Sequence, residues 1–222
     1  MRIFRRGLIW LNLICLKWLV KHYTKHVGDH HFHTLELDSN VYNRIDYLLK
    51  VCSGKKILHF GFADAPLTEQ RLSQGRLLHS KIQSVSKYVF GLDYDSDAIE
   101  MYKAMTSDTN VASVDIHSLK NLELDFKKFD IFLLGEILEH LGNPLLALES
   151  IKDVISDDAQ LVVTVPNAFS LSGFYKALYN LENTHPEHVA FYSPVTLRKL
   201  LDMAGFECLK IDFWGEGAIV SF

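Results

Sequence analysis

Two short stretches carry the side chains best suited to proton chemistry: Gly135-Glu136-Ile137-Leu138-Glu139-His140 and, later, His185-Pro186-Glu187-His188. Imidazole takes up or releases a proton near neutral pH, and a carboxylate beside it can orient the ring. His140 and His188 are therefore the candidate catalytic bases, with Glu136 or Glu139 as the orienting acid. A plain structural use stands beside that reading, because a Glu139–His140 pair can simply tie a loop to a sheet. His185 and Glu187 read as substrate-side or structural.

Other candidate residues sit where apolar runs end. Lys55 to Phe60 leads into Gly61-Phe62-Ala63-Asp64-Ala65, a small-residue turn of the kind that lets backbone approach a ligand. Tyr88 to Leu92 ends on Asp93, and Asn110 to Val114 ends on Asp115. Phe129 to Leu134 ends on Gly135-Glu136. Short, almost wholly apolar runs are the mark of strands buried on both faces, and open sheets of such strands keep their ligand crevice at the carboxyl ends. Gly, Asp and Asp at three such ends outline a crevice shaped for a nucleoside, since a carboxylate there can accept ribose hydroxyls.

The elements that must hold these residues follow from periodicity. Residues 129 to 167 form strand, helix, strand: after Gly142-Asn143-Pro144, Leu145, Leu148, Ile151, Val154 and Ile155 keep a 3.6 period, and Leu161 to Val165 is the second strand. That order implies a right-handed parallel crossover. A short amphipathic helix is expected near Asn40 to Leu49, helical pattern from about Gln70 to Tyr88, and a helix from Ser96 to Met105. A loop and helix from Ala168 to Glu182 carries Phe169, Phe174, Tyr175 and Tyr179. Ser193-Pro194 caps a helix that stops at Gly205. Phe206 to Phe213 and Ala218 to Phe222 flank a hairpin turn at Trp214-Gly215-Glu216-Gly217.

The 222 residues divide into a basic N-terminal helix and linker, 1–35, and a globular domain, 36–222. The net charge of −4 is uneven: residues 1–30 balance to +5 and the remainder to −9. An acidic body argues against nucleic acid as partner. The three separated cysteines, Cys15, Cys52 and Cys208, favour a reducing cytoplasm. Arg2, Arg5 and Arg6 precede an apolar stretch, Leu8 to Val20, that is too short to span a bilayer and lacks a cleavage site. With Trp10 and Trp18, residues 1–21 suit an interfacial helix on the inner face of the membrane, or equally a helix packed on protein. His22, His26, His30, His31 and His33 lack an acid or cysteine at firm spacing, so they read as a polar linker and no metal ligands are assigned.

From about Lys55 to Phe222 the chain resembles the class I S-adenosylmethionine-dependent methyltransferases. The resemblance is carried by FDI…E..EHL.NP (Phe129 to Pro144), LVVTVPN (Leu161 to Asn167) and H..FYS..TL..LL..AG (His188 to Gly205). It is similar within that group to the ubiquinone-pathway O-methyltransferases and to methyltransferases of bacterial glycan clusters. The resemblance implies an α/β, Rossmann-like sheet of seven strands, mostly parallel with the last antiparallel, here with an N-terminal helical extension. It implies S-adenosylmethionine as cofactor. Gly61 would lie beneath its methionine part, Asp93 would hold the ribose hydroxyls, Asp115 and the Ile116 backbone would face the adenine, and Gly135 and Glu136 would flank the amino-acid end.

This sequence departs from the family's first motif, which reads L-D-[IV]-G-C-G-x-G. Here His59 replaces the acid, Ala63 and Ala65 replace two glycines, and Asp64 or Glu136 is left to meet the cofactor's ammonium. Gly61 and Asp93 are 32 residues apart, and the extra stretch, Pro66 to His79, reads as a lid or as a longer helix. The leading expectation is methyl transfer to a small polar acceptor, a hydroxyl of a sugar or lipid-linked glycan. A methyltransferase-like binding or scaffold protein without turnover is the alternative, and the missing G-x-G-x-x-G opposes a nicotinamide dehydrogenase.

Overall fold

The computed structural model describes residues 41–214 and 217–221, so the expectations for the N-terminal helix and the histidine-rich linker lie outside the described residues. Eight strands form one sheet: β1 Val41–Tyr42, β2 Lys56–Phe60, β3 Tyr88–Asp93, β4 Val111–Ser113, β5 Ile131–Gly135, β6 Gln160–Pro166, β7 Lys210–Trp214 and β8 Gly217–Ser221. Their order is β1-β7-β8-β6-β5-β2-β3-β4. The body β4-β3-β2-β5-β6 is parallel, and β8 runs antiparallel to both β6 and β7. Seven of these strands match the expected topology; the eighth is the two-residue edge strand Val41–Tyr42, parallel to Phe213–Trp214. The order reverses between β2 and β5, which places the ligand crevice at their carboxyl ends.

Strict alternation decides what covers each face. Leu58, Phe60, Phe132, Leu134, Leu161, Val163 and Val165 point to one side, where they pack on Leu148, Ile151, Leu197 and Leu201. Those four come from the helices Pro144–Lys152 and Pro194–Met203. Ile57, Ile131, Leu133 and Val162 point to the other and meet Leu48, Cys52 and Ile82. Both faces are sealed, as a parallel sheet requires. The helices begin where their first N–H groups find side-chain acceptors. Asn43 caps Arg44–Cys52, Asp95 caps Ser96–Thr106, Asn143 precedes Pro144, and Ser193 with Thr196 forms a capping box before Pro194.

The stretch between β2 and β3 is neither one long helix nor a lid. It folds as two short helices, Thr68–Ser73 and Leu78–Gln83, broken around Gly75 at φ +64°. Leu72 and Leu77 pack with Phe62, Ala98, Ile99 and Tyr102, so the insertion is pinned against helix Ser96–Thr106. It also delivers His79, fully buried, to His59 on β2: the two Nδ1 atoms are 3.1 Å apart and the rings stack 5.4 Å apart. The family's acid is thus replaced by a histidine whose hydrogen bond is satisfied from the insertion.

An Nδ1–Nδ1 bond needs one donor and one acceptor, so the acceptor ring must stay uncharged. Burial, then the partner ring and Arg44, holds His59 well below the usual imidazole range. Burial pushes His79 down to about 4, opposed by Asp108. Folded values below the unfolded one mean stability that is complete above pH 6.5 and is lost as pH falls through the folded value. At about 1.4 kcal/mol per pH unit, His79 alone contributes roughly 3 kcal/mol between pH 6.5 and about 4. Urea unfolding of the full chain should therefore lose stability over that interval. Replacing both rings, His59→Leu with His79→Leu, should flatten the loss; an equally steep curve in the double variant would assign it elsewhere.

Candidate active site

At the carboxyl edge, parallel register sets Gly61, just past β2, beside Gly135 at the end of β5, and Gly135 opposite Thr164 on β6. Gly61 takes φ +65°, where a side chain is strained, and a Cβ there would fall 2.0 Å from Ile137 Cδ1, which would have to turn aside. The second positive φ of this loop falls on Asp64, at +60°, rather than on Ala63 or Ala65. Asp tolerates the left-handed region better than Ala does, which is how the loop turns with only one glycine. Asp64 also pairs with Arg71, and burial raises its carboxyl while Arg71 opposes the rise.

Arg44, unassigned by sequence reasoning, dominates this edge. From the first turn of helix Arg44–Cys52 its Nε donates to Thr164 Oγ1 at 3.1 Å. One Nη atom lies 3.0 Å from where a Gly135 Cβ would stand, and the other is 3.7 Å from Glu136 Oε2. The guanidinium lies over the Trp214 ring at 5.6 Å. A side chain at Gly135 would crowd the nearer Nη atom and make it give way by a few tenths of an ångström. Glu136 itself has φ +60°, held by its N–H on the Thr164 carbonyl at 2.8 Å. A non-glycine residue in that conformation costs free energy, and such strain gathers at functional sites.

Asp93 is buried at the end of β3 and already accepts three N–H groups: Ala63 at 3.0 Å, Tyr94 at 2.8 Å and Asp95 at 3.2 Å. Burial raises its carboxyl, and these bonds oppose the rise. A carboxylate offers about four acceptor sites, so any ribose hydroxyl would share Asp93 with these three N–H groups. Asp115 lies two residues beyond β4. It is exposed, caps the turn Ile116–Asn121, and holds His117 through both backbone and ring, bonds that lower its carboxyl. Ile116 is half-buried against the main core.

The histidines meet at a second place. The Val189 and Ala190 N–H groups reach the Glu139 carbonyl at 2.8 and 3.3 Å, and Tyr192 Oη donates to the Leu138 carbonyl at 3.2 Å. These bonds dock the H-P-E-H loop on the turn after β5. His140 and His188 consequently pack edge to face with centroids 4.6 Å apart, and His185 lies 5.6 and 5.3 Å from them. Glu187 Oε2 is 3.7 Å from His140 Nδ1. Burial first, then neighbouring imidazoles, lower both His140 and His188, which keeps them uncharged at neutral pH. One nitrogen from each of His140, His185 and His188 lies within 4.8 Å of the others, close enough to be drawn onto one metal ion.

Glu139 does not orient His140. Its side chain is buried, its carboxyl oxygens find no partner outside the residue itself, and burial pushes it up to about 8. A cavity of about 470 Å³ opens beside His185 and His188, bounded by Asn167, Ser170, Lys176 and Thr184. Its outer wall is helix Leu171–Leu178, with Phe169, Leu171, Phe174 and Tyr179 all exposed to solvent. The structure therefore brings Gly61, Asp64, Gly135 and Glu136 to one edge around Arg44. It sets Asp93 and Asp115 along the same edge, and gathers His140 and His188 at a neighbouring pocket. Arg44 gave no sequence signal; an arginine in the first turn of a surface-type helix is ordinary until its tertiary partners are known.

A family model described as a methyltransferase domain matches residues 51–211. The ubiquinone biosynthesis O-methyltransferase of Haemophilus ducreyi is 25% identical over 172 residues, covering 71% of this chain and 67% of that protein. Its namesake from Actinobacillus pleuropneumoniae is 23% identical over 185 residues, 76% and 74% of the two chains. Among solved structures, a SAM-dependent methyltransferase from Thermotoga maritima superposes with a TM-score of 0.57 at 15% identity, covering 80% and 86%. One from Clostridium acetobutylicum gives 0.54 at 11% identity over 93% and 98% of the chains. These structures share the fold described above. The family match runs through the whole parallel body of the sheet and both histidine segments, and the chain belongs to the methyltransferase domain family.

Proposed function

We propose that this protein transfers a methyl group from S-adenosylmethionine to a hydroxyl of a small polar acceptor, a sugar or a lipid-linked glycan. The observation that carries the reading is the Arg44 guanidinium held over Gly135 beside Glu136, next to a pocket bordered by His188, whose imidazole burial holds below its usual range. Arg44 takes the carboxylate of the cofactor's amino-acid end, and Glu136 with Asp64 takes its ammonium. Asp93 accepts one ribose hydroxyl, and Asp115 with the Ile116 backbone flanks the adenine. The known relatives act as supporting context, being named ubiquinone biosynthesis O-methyltransferases.

The reaction asks little covalent work of the protein. The acceptor oxygen attacks the sulfonium methyl in line, the carbon–sulfur bond breaks, and its electron pair discharges the sulfur, so positioning supplies most of the acceleration. The hydroxyl proton passes to His188, which borders the pocket, with His140 packed against it. Asn167, Ser170, Ser172 and Thr184 give that pocket the hydrogen-bonding walls a sugar needs. The exposed aromatics of the outer helix favour an acceptor with an apolar tail. No helix among the described residues is long and apolar enough to cross a membrane, and we place membrane contact, where it occurs, on residues 1–21. A binding protein without turnover is the second reading, favoured by His59, whose ring is committed to His79 and withdrawn from the cofactor.

Calorimetry on the full chain tests the central reading. S-adenosylhomocysteine should bind, and Arg44→Ala should weaken it about 10- to 100-fold, the worth of one charge-assisted contact. The same variant should leave 5′-methylthioadenosine, which lacks the amino-acid end, unchanged. No binding of either nucleoside at millimolar concentration would end the methyl-transfer reading, and cofactor binding without turnover on any glycan acceptor would promote the second. For residues 1–21, the full chain should float with anionic liposomes and a chain lacking them should not; equal flotation would place membrane contact elsewhere.

A further inference from the structure

Three imidazoles converge at the pocket mouth with more order than proton transfer asks for. His140 leaves the turn after β5, while His185 and His188 bound a single turn closed by the His188 N–H on the His185 carbonyl at 3.0 Å. We propose that His140, His185 and His188 form a binding site for one divalent transition-metal ion of the zinc type. Three nitrogens around a shared tetrahedral ion, each about 2.1 Å from it, stand about 3.4 Å apart. The present spread, within 4.8 Å, closes by modest rotation of side chains that are exposed or half-buried.

The groups behind the rings fit that use. Glu187 Oε2 sits 3.7 Å from His140 Nδ1, and Thr184 Oγ1 lies 3.4 Å from His188 Nδ1. Metal-bound histidines are ordinarily steadied by a polar group behind the ring, and the Glu187 carboxylate and Thr184 hydroxyl stand in that place for His140 and His188. His185 Nδ1 takes the Glu187 N–H at 3.3 Å, a long bond on an exposed ring that rotation releases. Three imidazole nitrogen donors select zinc, cobalt, nickel or copper over magnesium or calcium, which demand oxygen.

Three protein ligands leave a coordination position free, and His185 and His188 border the acceptor pocket. With the ion bound, His188 serves as a ligand and not as the base: an acceptor hydroxyl filling the free position would be acidified by the ion and lose its proton to solvent, and its oxygen would then attack the methyl in line. That consequence rests on the methyl-transfer reading; the site itself does not.

Zinc binding to the full chain, stripped with a chelator and titrated against a zinc-sensitive dye, tests the site. One ion per chain should bind at micromolar affinity or better, in addition to any held by the histidines at 22–33. His185→Ala and His188→Ala should each weaken that ion at least 100-fold, with S-adenosylhomocysteine affinity unchanged as proof of folding. Cobalt substituted for zinc should give visible bands that these variants abolish. Zinc affinity indifferent to both variants would overturn the proposal, and so would magnesium bound in preference to zinc and untouched by His185→Ala. Zinc binding by a chain that ignores the nucleoside cofactors would keep the metal site and remove the methyl-transfer reading.

Discussion

Parallel pairing of β2 with β5, and of β5 with β6, is the constraint on which the rest depends. It holds Gly61, Gly135 and Thr164 in neighbouring register at the point where β2 and β5 run out beside β6. Up to that point each strand needs apolar side chains on both faces, because helices cover the two sides. Beyond it the lateral packing ends, and backbone N–H groups and carbonyls face whatever enters. Two glycines and a threonine leave a hollow there, and the Arg44 guanidinium fills it by bonding to the threonine. A buried guanidinium needs partners of opposite charge or polarity. Glu136 and Thr164 supply part of that set, and a ligand carboxylate would complete it.

The loop after β2 shows how a degraded motif can keep its shape. Glycine is required only where φ is positive or where another group crowds the Cα. In this chain those demands fall on Gly61 and, tolerably, on Asp64. Neither alanine takes a positive φ, and Ala63 still sends its N–H to Asp93. That bond ties the first loop to the end of β3, but it also uses one of the carboxylate's acceptor sites. His59 is a deeper change. Its ring is buried against His79, so an acid that would face the crevice has become part of the core. At the crevice itself the charged side chains therefore arrive from elsewhere, chiefly Arg44 and Glu136.

The acceptor side is assembled on different terms. Glu139 uses its carbonyl, not its carboxyl, to seat the H-P-E-H loop, while its side chain stays buried and protonated at neutral pH. The backbone thus does the positioning that a sequence reader would assign to the Glu139–His140 pair. Once the loop is docked, His140, His185 and His188 have no choice but to meet. The helix over the pocket contributes Ser172 and Lys176 to its lining and leaves Phe174 and Tyr175 exposed.

By itself, the amino-acid sequence determined the fold and the outline of the crevice. Buried strands announce themselves through runs such as Leu161 to Val165, helix starts through Asn143-Pro144 and Ser193-Pro194, and both signals depend only on adjacent residues. Tyr88–Asp93 therefore stands where periodicity put it, and the helix begun at Pro144 forms there but stops at Lys152, short of Val154 and Ile155. The tertiary structure alone decided three things: Arg44 over Gly135, His79 against His59, and the histidine cluster at the pocket. Arg44 and Thr164 are 120 residues apart in the chain, and His59 and His79 are 20 apart. Contacts across such distances leave no local pattern, because each partner's residue type is ordinary in its own segment and acquires meaning only when the sheet brings the two together.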